Sequence, residues 1–313
     1  MNNKKIPLVA VVGATASGKT SLGISLAKRL GGEVISCDSM QIYRDFNIGT
    51  AKPTISEMDG VVHHGIDIAE PFEEYSVQKF CEYAHSTISD IYNRGKLPIL
   101  VGGTGLYIEN IILSTDFSAP VRDDTFTREL YEYAEKNGND ALYEILKKED
   151  PEQARLLHPN DVRRIIRAIE TIRTTGKTRS QLDKESRSVS PYDALYFAID
   201  MERDALYERI NKRVDIMLEA GLIDEVISLY PNRKKYKTSL KAIGYREIIY
   251  YLKGLCTLFE ATELIKRNSR RYAKRQLTWF RRNKEINWLN IQNAASAAEK
   301  LIKERFNYEI TTD

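Results

Sequence analysis

The sequence predicts an α/β protein with a parallel sheet, helices on both faces of that sheet, and an all-helical insertion. Short continuous apolar runs at 8–12 and 97–101 are typical of buried parallel strands, and segments with helical spacing separate them. Between 118 and 192 the sequence shows helical segments and no convincing strand. We therefore expect a core domain formed by 1–117 and 193–313, and an inserted helical domain formed by 118–192.

Apolar spacing, capping residues and glycines define the individual elements. After the first strand, Leu22, Leu26 and Leu30 follow helical spacing, and the glycines that come next end this helix. Ser76 is a suitable N-cap for a later helix. The strands are predicted at 8–12, 33–36, 97–101, 195–199 and 286–289. The main helices are predicted at 20–30, 76–94, 161–174, 203–220, 244–252 and 258–282.

The composition is that of a globular protein. Of 313 residues, 42% are hydrophobic and 29% are charged, which excludes a disordered chain, a collagen and a coiled coil. No apolar run reaches the roughly 18 residues of a membrane helix, and the N-terminus lacks a secretory signal. Cys37, Cys81 and Cys256 lie too far apart for a disulfide framework or a zinc site. We expect a cytoplasmic monomer without a membrane anchor or an obligate protein partner.

Basic residues cluster, although the net charge is only +3. The segment 266–284 contains nine lysines and arginines and no acidic residue, and further clusters lie at 233–246 and 163–179. Such patches on a nearly neutral protein indicate a polyanion that binds at particular places. The alternative is that each patch is a solvated helix face with counter-ions.

Residues 13–20, GATASGKT, fit the phosphate-binding P-loop pattern G-x-x-x-x-G-K-[ST]. A buried strand precedes the motif and an amphipathic helix follows it, as this loop requires. Backbone N–H groups and the helix N-terminus then face the phosphate oxygens, Lys19 reaches them, and the Thr20 hydroxyl is placed to bind Mg²⁺. The residues expected to bind phosphate are Gly13, Thr15, Ala16, Ser17, Gly18, Lys19 and Thr20.

Asp38 follows the 33–36 strand and is the best candidate for a catalytic carboxylate. The carboxyl end of a parallel strand is where open α/β sheets bind their ligands. Beside the P-loop, Asp38 can act as a general base, as a Mg²⁺ partner, or as both. The alternative is a turn or helix-cap aspartate without a chemical role.

Several blocks outside the P-loop resemble the tRNA dimethylallyltransferase family, whose members are also called tRNA isopentenyltransferases. The blocks extend along nearly the whole chain in the family's order. They are the sequences at 38–43 (DSMQIY), 49–53 (GTAKP), 63–67 (HHGID), 102–107 (GGTGLY), 160–170 (NDVRRIIRAIE), 242–247 (AIGYRE) and 274–281 (KRQLTWFR).

This resemblance implies a transfer reaction on tRNA. The N6 amine of the adenine 3′ of the anticodon attacks the allylic carbon of dimethylallyl diphosphate, and pyrophosphate leaves. In that reaction Asp38 is the expected base, Lys19 and Thr20 with Mg²⁺ bind the leaving group, and Arg213 closes over it.

The resemblance also implies an extensive contact with the anticodon stem-loop, from which the reacting base is flipped out. The helical insertion is expected to hold this stem-loop. The residues expected to contact tRNA are Asp38, Ser39, Met40, Gln41, Thr104, Arg128, Arg163, Arg164, Arg167, Lys241, Gly244, Tyr245, Arg246, Arg271, Lys274, Arg275, Thr278, Arg281 and Arg282.

Three other functions use the same features in part. An ATP-dependent small-molecule kinase accounts for the P-loop and Asp38, but it leaves the basic clusters as a lid or as decoration. Prenyl transfer to a free adenine nucleotide leaves the helical insertion without a purpose. A non-catalytic RNA-binding protein leaves the complete P-loop unused.

Overall fold

The computed structural model describes residues 5–113, 124–186, 190–236 and 238–306. The chain divides into two compact units, one formed by Met1–Ile112 with Pro191–Asp313 and one formed by Leu113–Ser190. The first predicted domain boundary, at 117/118, lies outside the described residues. At the second, predicted at 192/193, the strand that returns the chain to the first unit already begins at Tyr192.

The first unit contains a six-stranded sheet in which every strand pairs with its neighbours in parallel. This arrangement confirms the predicted fold class. The spatial order is β3-β2-β4-β1-β5-β6, so the strand before the P-loop lies inside the sheet. The short β3 was not predicted, because two histidines carry no apolar strand pattern. The strands are β1 (Ile6–Val12), β2 (Gly32–Ser36), β3 (His63–His64), β4 (Leu97–Gly102), β5 (Tyr192–Asp200) and β6 (Ile286–Asn290).

The helices agree with the predicted pattern, with small differences at their ends. Ser76 caps its helix by accepting a hydrogen bond from the Lys79 N–H, as the sequence predicts. The helices are α1 (Lys19–Leu30), α2 (Ile55–Met58), α3 (Val77–Asn93), α4 (Gly105–Ile112), α5 (Asp124–Asn137), α6 (Asn139–Glu149), α7 (Pro151–Ala154), α8 (Val162–Thr175), α9 (Arg179–Ser186), α10 (Arg203–Glu219), α11 (Leu222–Leu229), α12 (Tyr245–Leu252), α13 (Leu258–Phe280) and α14 (Ala294–Phe306).

The core of the first unit lies between the sheet and its covering helices. Alternate residues of β1, such as Val9 and Val11, pack with Leu26 of α1 and Ile302 of α14 on one face. The other face packs against α3, whose Phe80 is fully buried. Because both faces are covered, the strands are continuously apolar, and the carboxyl edge of the sheet remains as the place for a site. No helix among the described residues is long and apolar enough to cross a membrane.

The second unit is a small helical body with its own core. It consists of helices α5 to α9, and its described residues include no strand. Ile165, Ile166 and Ile169 of α8 pack against Leu142 and Leu146 of α6. The opposite face of α8 is therefore left to solvent, and it carries the exposed side chains of Arg163, Arg164 and Arg167.

A buried carboxylate at the start of β2 stabilises the edge of the sheet far from the P-loop. Glu33 is 2% exposed and accepts hydrogen bonds from Arg94 Nη1 at 2.6 Å and Lys96 Nζ at 2.7 Å. His64 Nε2 lies 2.7 Å from the same carboxylate. The hydrogen bond from Arg94 is the main cause that holds the pKa of Glu33 well below its ordinary value. The His64 ring therefore has a structural partner.

We expect Glu33→Gln to lower the free energy of unfolding by about 2 kcal/mol at pH 7, because hydrogen bonds from charged donors to a buried carboxylate are lost. The folded-state pKa lies below the ordinary value of 4.5, so this stabilisation is present above that pH and disappears as the pH falls further. Urea unfolding of both proteins at pH 7 and below pH 4.5 measures the difference.

Asp193→Asn is the control, because it breaks only the exposed ion pair with Arg305 and should leave the stability nearly unchanged. A loss for Glu33→Gln that is equally large at both pH values would contradict the electrostatic explanation.

Candidate active site

A cavity of about 620 Å³ lies in the first unit. The segments that follow β1 and β2 and the last residues of β4 all contribute to its lining. They bring Lys19 of the P-loop, Asp38 and Gly102 to one place, because parallel strands end at the same edge. Helices α10 and α13 line the cavity as well, through residues such as Arg213 and Tyr272.

The P-loop has the backbone of a phosphate cradle. Ala16 and Gly18 have φ angles of 63° and 95°, and Ala16 pays a steric cost for this left-handed conformation. Helix α1 begins at Lys19, so its N-terminal amides face the loop. The Ser17 hydroxyl oxygen is buried without a hydrogen-bond partner. The loop therefore presents donors that a phosphate group can satisfy.

Two cations and one carboxylate control the charge of the cavity. Burial and the nearby Arg213 guanidinium lower the pKa of Lys19 from 10.5 to about 8, although Asp38 acts in the opposite direction. Burial lowers the pKa of Arg213 as well. Two desolvated cations side by side are stabilised by any anion that binds between them. The site thus favours an anionic ligand next to the P-loop.

Asp38 is fixed by the turn that follows β2. Its Oδ1 accepts the Met40 N–H at 2.9 Å, and the Ser39 N–H donates to Thr104 Oγ1 at 3.1 Å. Within the part of the chain that the structure describes, no hydrogen bond to the second carboxylate oxygen of Asp38 is found. Asp38, Ser39 and Met40 all line the cavity. A carboxylate held in this way can receive a proton from a ligand.

Gln41 also lines the cavity, but its amide is already used. Its Oε1 accepts a hydrogen bond from Ser36 Oγ at 2.9 Å. Its Nε2 donates to the carbonyl oxygens of Thr50 and Ala51, at 3.3 and 3.1 Å. The side chain therefore holds the 49–53 block in place, and a ligand reaches its amide only in competition with these bonds.

Glu225, which the sequence did not single out, fixes the start of that block. Its carboxylate accepts the N–H groups of Asn47, Ile48 and Gly49 at 2.8–3.1 Å. The Tyr245 hydroxyl donates to the same carboxylate at 2.6 Å. Sequence analysis missed Glu225 because an acidic residue on an amphipathic helix gives no signal of a distant backbone partner.

Tyr245 is one of the residues expected to contact tRNA, and the structure places its side chain in the core. Tyr245 is fully buried, and its ring packs against Phe46 at a centroid distance of 4.8 Å. Its neighbour Glu247 is buried too and accepts hydrogen bonds from the Gly244 N–H, Arg246 and Asn268. The buried side chains of Tyr245 and Glu247 therefore support the 242–247 block from the core, while other residues of the block line the cavity.

Nearly all the charged side chains that line the cavity are cationic. Among the described residues that line it, Asp38 is the single carboxylate. An anion therefore meets an attractive potential over most of the wall. The cationic lining residues are Lys19, Arg213, Lys241, Arg246, Arg271 and Arg275.

Helix α13 closes the cavity by a close approach to the turn after β4. A Cβ atom built on Gly103 would lie 2.2 Å from Gln276 Nε2, and one on Gly105 would lie 2.4 Å from Trp279 Cδ1. These two glycines are therefore required for the helix to pack where it does. Phe280 is buried, so the aromatic residues of this helix end serve packing.

The remaining predicted contacts do not line the cavity. On α13 and just beyond it, Lys274, Thr278, Arg281 and Arg282 are exposed. In the second unit, Arg163, Arg164 and Arg167 share the exposed face of α8. Arg128 of α5 lies in a shallow acidic groove with Asp124, Glu132 and Glu135. Its surroundings differ from the basic patches in which the other candidates lie.

The site contains oxygen donors suited to a divalent cation. Thr20 is exposed at the start of α1. Thr20 and Asp38 both line the cavity. A hydroxyl and one carboxylate, completed by phosphate oxygens and water, form the donor set that Mg²⁺ prefers. No group of three or more His, Cys, Asp or Glu side chains that could hold a metal ion by itself is found among the described residues.

The fold and the site define a P-loop α/β protein with an anion-binding cavity beside a candidate base. A family model described as IPP transferase matches residues 41–283, and one described as isopentenyl transferase matches residues 6–67. The chain belongs to the IPP transferase family, whose members are prenyltransferase enzymes.

Relatives along nearly the whole chain carry one name. The tRNA dimethylallyltransferase of Bacillus subtilis (strain 168) is 48% identical over 291 residues, 93% of each chain. That of Halalkalibacterium halodurans is 50% identical over 288 residues, 92% of each chain.

Solved structures agree with these relatives. The full-length tRNA isopentenylpyrophosphate transferase from Bacillus halodurans is 46% identical, with a TM-score of 0.73 and 97% of both chains covered. A eukaryotic dimethylallyltransferase acting on tRNA is 31% identical, with a TM-score of 0.79, and the match covers 98% of this chain and 81% of that one.

We expect the affinity of the cavity for inorganic pyrophosphate to fall above about pH 8, by about tenfold per pH unit, because Lys19 loses its proton there. Titration calorimetry between pH 7 and pH 9.5 measures this. Pyrophosphate also ionises in this pH range, and its ionisation affects binding to the wild type and to Lys19→Arg equally. The arginine of the variant stays charged throughout. The ratio of the two dissociation constants should therefore change with pH, and a constant ratio would contradict the assignment.

Proposed function

We propose that this protein transfers a dimethylallyl group from dimethylallyl diphosphate to N6 of the adenine 3′ of the anticodon in tRNA, and releases pyrophosphate. The observation that carries this proposal is the position of Asp38. The carboxylate lies in one cavity with the P-loop Lys19 and with Arg213, so a base and an anion site can act on the same pair of substrates. The names of the relatives support the choice of both substrates.

On the acceptor side, Asp38 orients and deprotonates the adenine amine. This amine is a weak nucleophile because its lone pair is delocalised into the ring, so a carboxylate within hydrogen-bond reach has a large effect. As the N–C bond to the allylic carbon forms, the C–O bond to the diphosphate breaks and the amine proton passes to Asp38. Ser39 and Met40 line the cavity beside the carboxylate and contact the flipped base, and Thr104, which accepts the Ser39 N–H, adjoins them.

On the diphosphate side, the P-loop binds a departing anion. The backbone amides of the loop, Lys19 and Arg213 stabilise the charge that grows on the leaving oxygen. Arg213 Nη1 lies 3.3 Å from Thr15 Oγ1, so its guanidinium already faces the loop. Thr20 and Asp38 would hold Mg²⁺. When bound, Mg²⁺ supplies Lewis-acid stabilisation of the diphosphate charge.

We propose that tRNA contacts two basic surfaces. The first is the α13 surface, formed by Arg271, Lys274, Arg275, Thr278, Arg281 and Arg282, which follows helical spacing and continues into the cavity. The second is the exposed face of α8, with Arg163, Arg164 and Arg167, which we assign to the anticodon stem-loop. Lys241 and Arg246 extend the first surface at the cavity wall. The enzyme acts in the cytoplasm, where both substrates occur, and we propose that it does so as a monomer.

We expect N6-dimethylallyl adenosine to form when the protein is incubated with dimethylallyl diphosphate, Mg²⁺ and unmodified tRNA without ATP. Asp38→Asn, which keeps the shape but removes the base, should lower turnover about 10²–10⁴-fold and retain tRNA binding. Mass spectrometry of the nucleosides measures the product.

Asp45→Asn is the matched control, because Asp45 is exposed and its φ angle of 65° suits asparagine equally well. Its turnover should equal that of the wild type. Wild-type turnover of Asp38→Asn would remove Asp38 as the base, and absence of product with folded wild-type protein would refute prenyl transfer to tRNA.

We expect Arg164→Ala to weaken tRNA binding uniformly and to reduce the slope of log K against log salt concentration by about 1, because one phosphate contact is lost. Fluorescence anisotropy with an anticodon stem-loop at several salt concentrations measures the slope. Lys147→Ala is the control in the same unit, since this lysine lies on α6 and is paired there with Glu144 of the same helix. An unchanged slope for Arg164→Ala would mean that Arg164 makes no phosphate contact and that this face of α8 is a solvated surface.

A further inference from the structure

Gln276 of α13 is a buried amide in direct contact with the P-loop. It is 5% exposed, and its Oε1 accepts the Thr15 N–H at 2.9 Å. Its Nε2 donates to the Gly103 carbonyl oxygen at 2.9 Å. The side chain therefore joins the segments after β1 and β4 to one helix. A buried amide with both ends bonded at these lengths has a fixed orientation.

The contact continues from Thr15 to the opposite wall of the cavity. The Thr15 backbone is held by Gln276, and its hydroxyl oxygen accepts from Arg213 Nη1 at 3.3 Å. Arg213 Nη2 in turn lies 3.5 Å from the carbonyl oxygen of Ala51. The position of Gln276 therefore bears on the position of the guanidinium, through one residue of the P-loop.

The same helix carries the cavity side of the proposed tRNA surface. Arg271, Tyr272 and Arg275 line the cavity within one or two turns of Gln276. The Tyr272 ring lies under the Arg275 guanidinium, 5.6 Å from its centre. Because a helix moves as a rigid element, a force on these side chains reaches the P-loop through Gln276.

We propose that Gln276 is a positioning residue that sets the P-loop for the allylic diphosphate and couples its binding to that of tRNA. This inference rests on the proposed function. Gln276 packs directly against Gly103, which has no Cβ atom to displace its Nε2. Although Gln276 lines the cavity, the hydrogen bonds of both its amide atoms go to backbone groups of the protein, and these bonds support a positioning role.

The test uses Gln276→Met, which keeps the length of the side chain and removes both hydrogen bonds. The Thr15 N–H and the Gly103 carbonyl then lose their buried partner, and we expect the dissociation constant of inorganic pyrophosphate with Mg²⁺ to rise about tenfold. The affinity for an anticodon stem-loop alone should stay unchanged. In steady-state assays KM for dimethylallyl diphosphate should rise more than KM for tRNA.

Coupling is measured as the ratio of the pyrophosphate dissociation constants with and without bound stem-loop. We expect a ratio different from 1 for the wild type and a ratio near 1 for Gln276→Met. Gln276→Glu keeps the acceptor for Thr15 but places a carboxylate against the Gly103 carbonyl oxygen and beside the anion site, so it should weaken pyrophosphate binding at least as much as Gln276→Met.

Ile302→Val is the control for lost stability, because Ile302 is fully buried in the core beside α1 and does not line the cavity. It should lower the melting temperature without changing the pyrophosphate dissociation constant or the coupling ratio. Unchanged pyrophosphate affinity and coupling in Gln276→Met would overturn the inference alone. Failure of the wild type to bind pyrophosphate would instead overturn the proposed role of the P-loop.

Discussion

The close approach of helix α13 to the turn after β4 is the constraint on which the cavity depends. Side chains at Gly103 and Gly105 would overlap Gln276 and Trp279, so the helix packs there only because both positions lack a Cβ atom. Once it does, one helix supplies the Gln276 contact to the P-loop, the cationic wall of the cavity and the exposed basic surface outside it. A shift of this helix would therefore disturb all three together.

Electrostatics imposes a second constraint on the same space. Lys19 and Arg213 are both desolvated, and burial together with the nearby Arg213 guanidinium lowers the pKa of Lys19 to about 8. Asp38 offsets this cost in part. The unliganded site is consequently destabilised by its own charges, and an anion that enters recovers that energy. The arrangement suits a reaction whose product is a more highly charged anion than its substrate.

The sequence predicts the sheet and the P-loop because their signals are local. Five of the strands, the capped helix after Ser76 and the position of Asp38 follow from apolar runs, caps and glycines. The roles of Glu225 and Gln276 could not be predicted, since each acts through backbone groups that are distant in the chain. The block that contains Tyr245 is recognisable in the sequence, but the sequence does not tell whether a residue of such a block faces the ligand or the core, and the structure buries the Tyr245 side chain.

Gln41 shows the same distinction inside the cavity. It lies three residues after Asp38 in the same loop and lines the wall, yet both ends of its amide are bonded to Ser36 and the 49–53 block. Glu225 holds that block from the opposite side through three amides. The polar side chains of Gln41 and Glu225 thus fix the 49–53 segment. Arg213 Nη2 in turn contacts the carbonyl oxygen of Ala51 in this segment. The positions of the groups that face the cavity therefore depend in part on polar residues, such as Gln41 and Glu225, that need not contact the substrate.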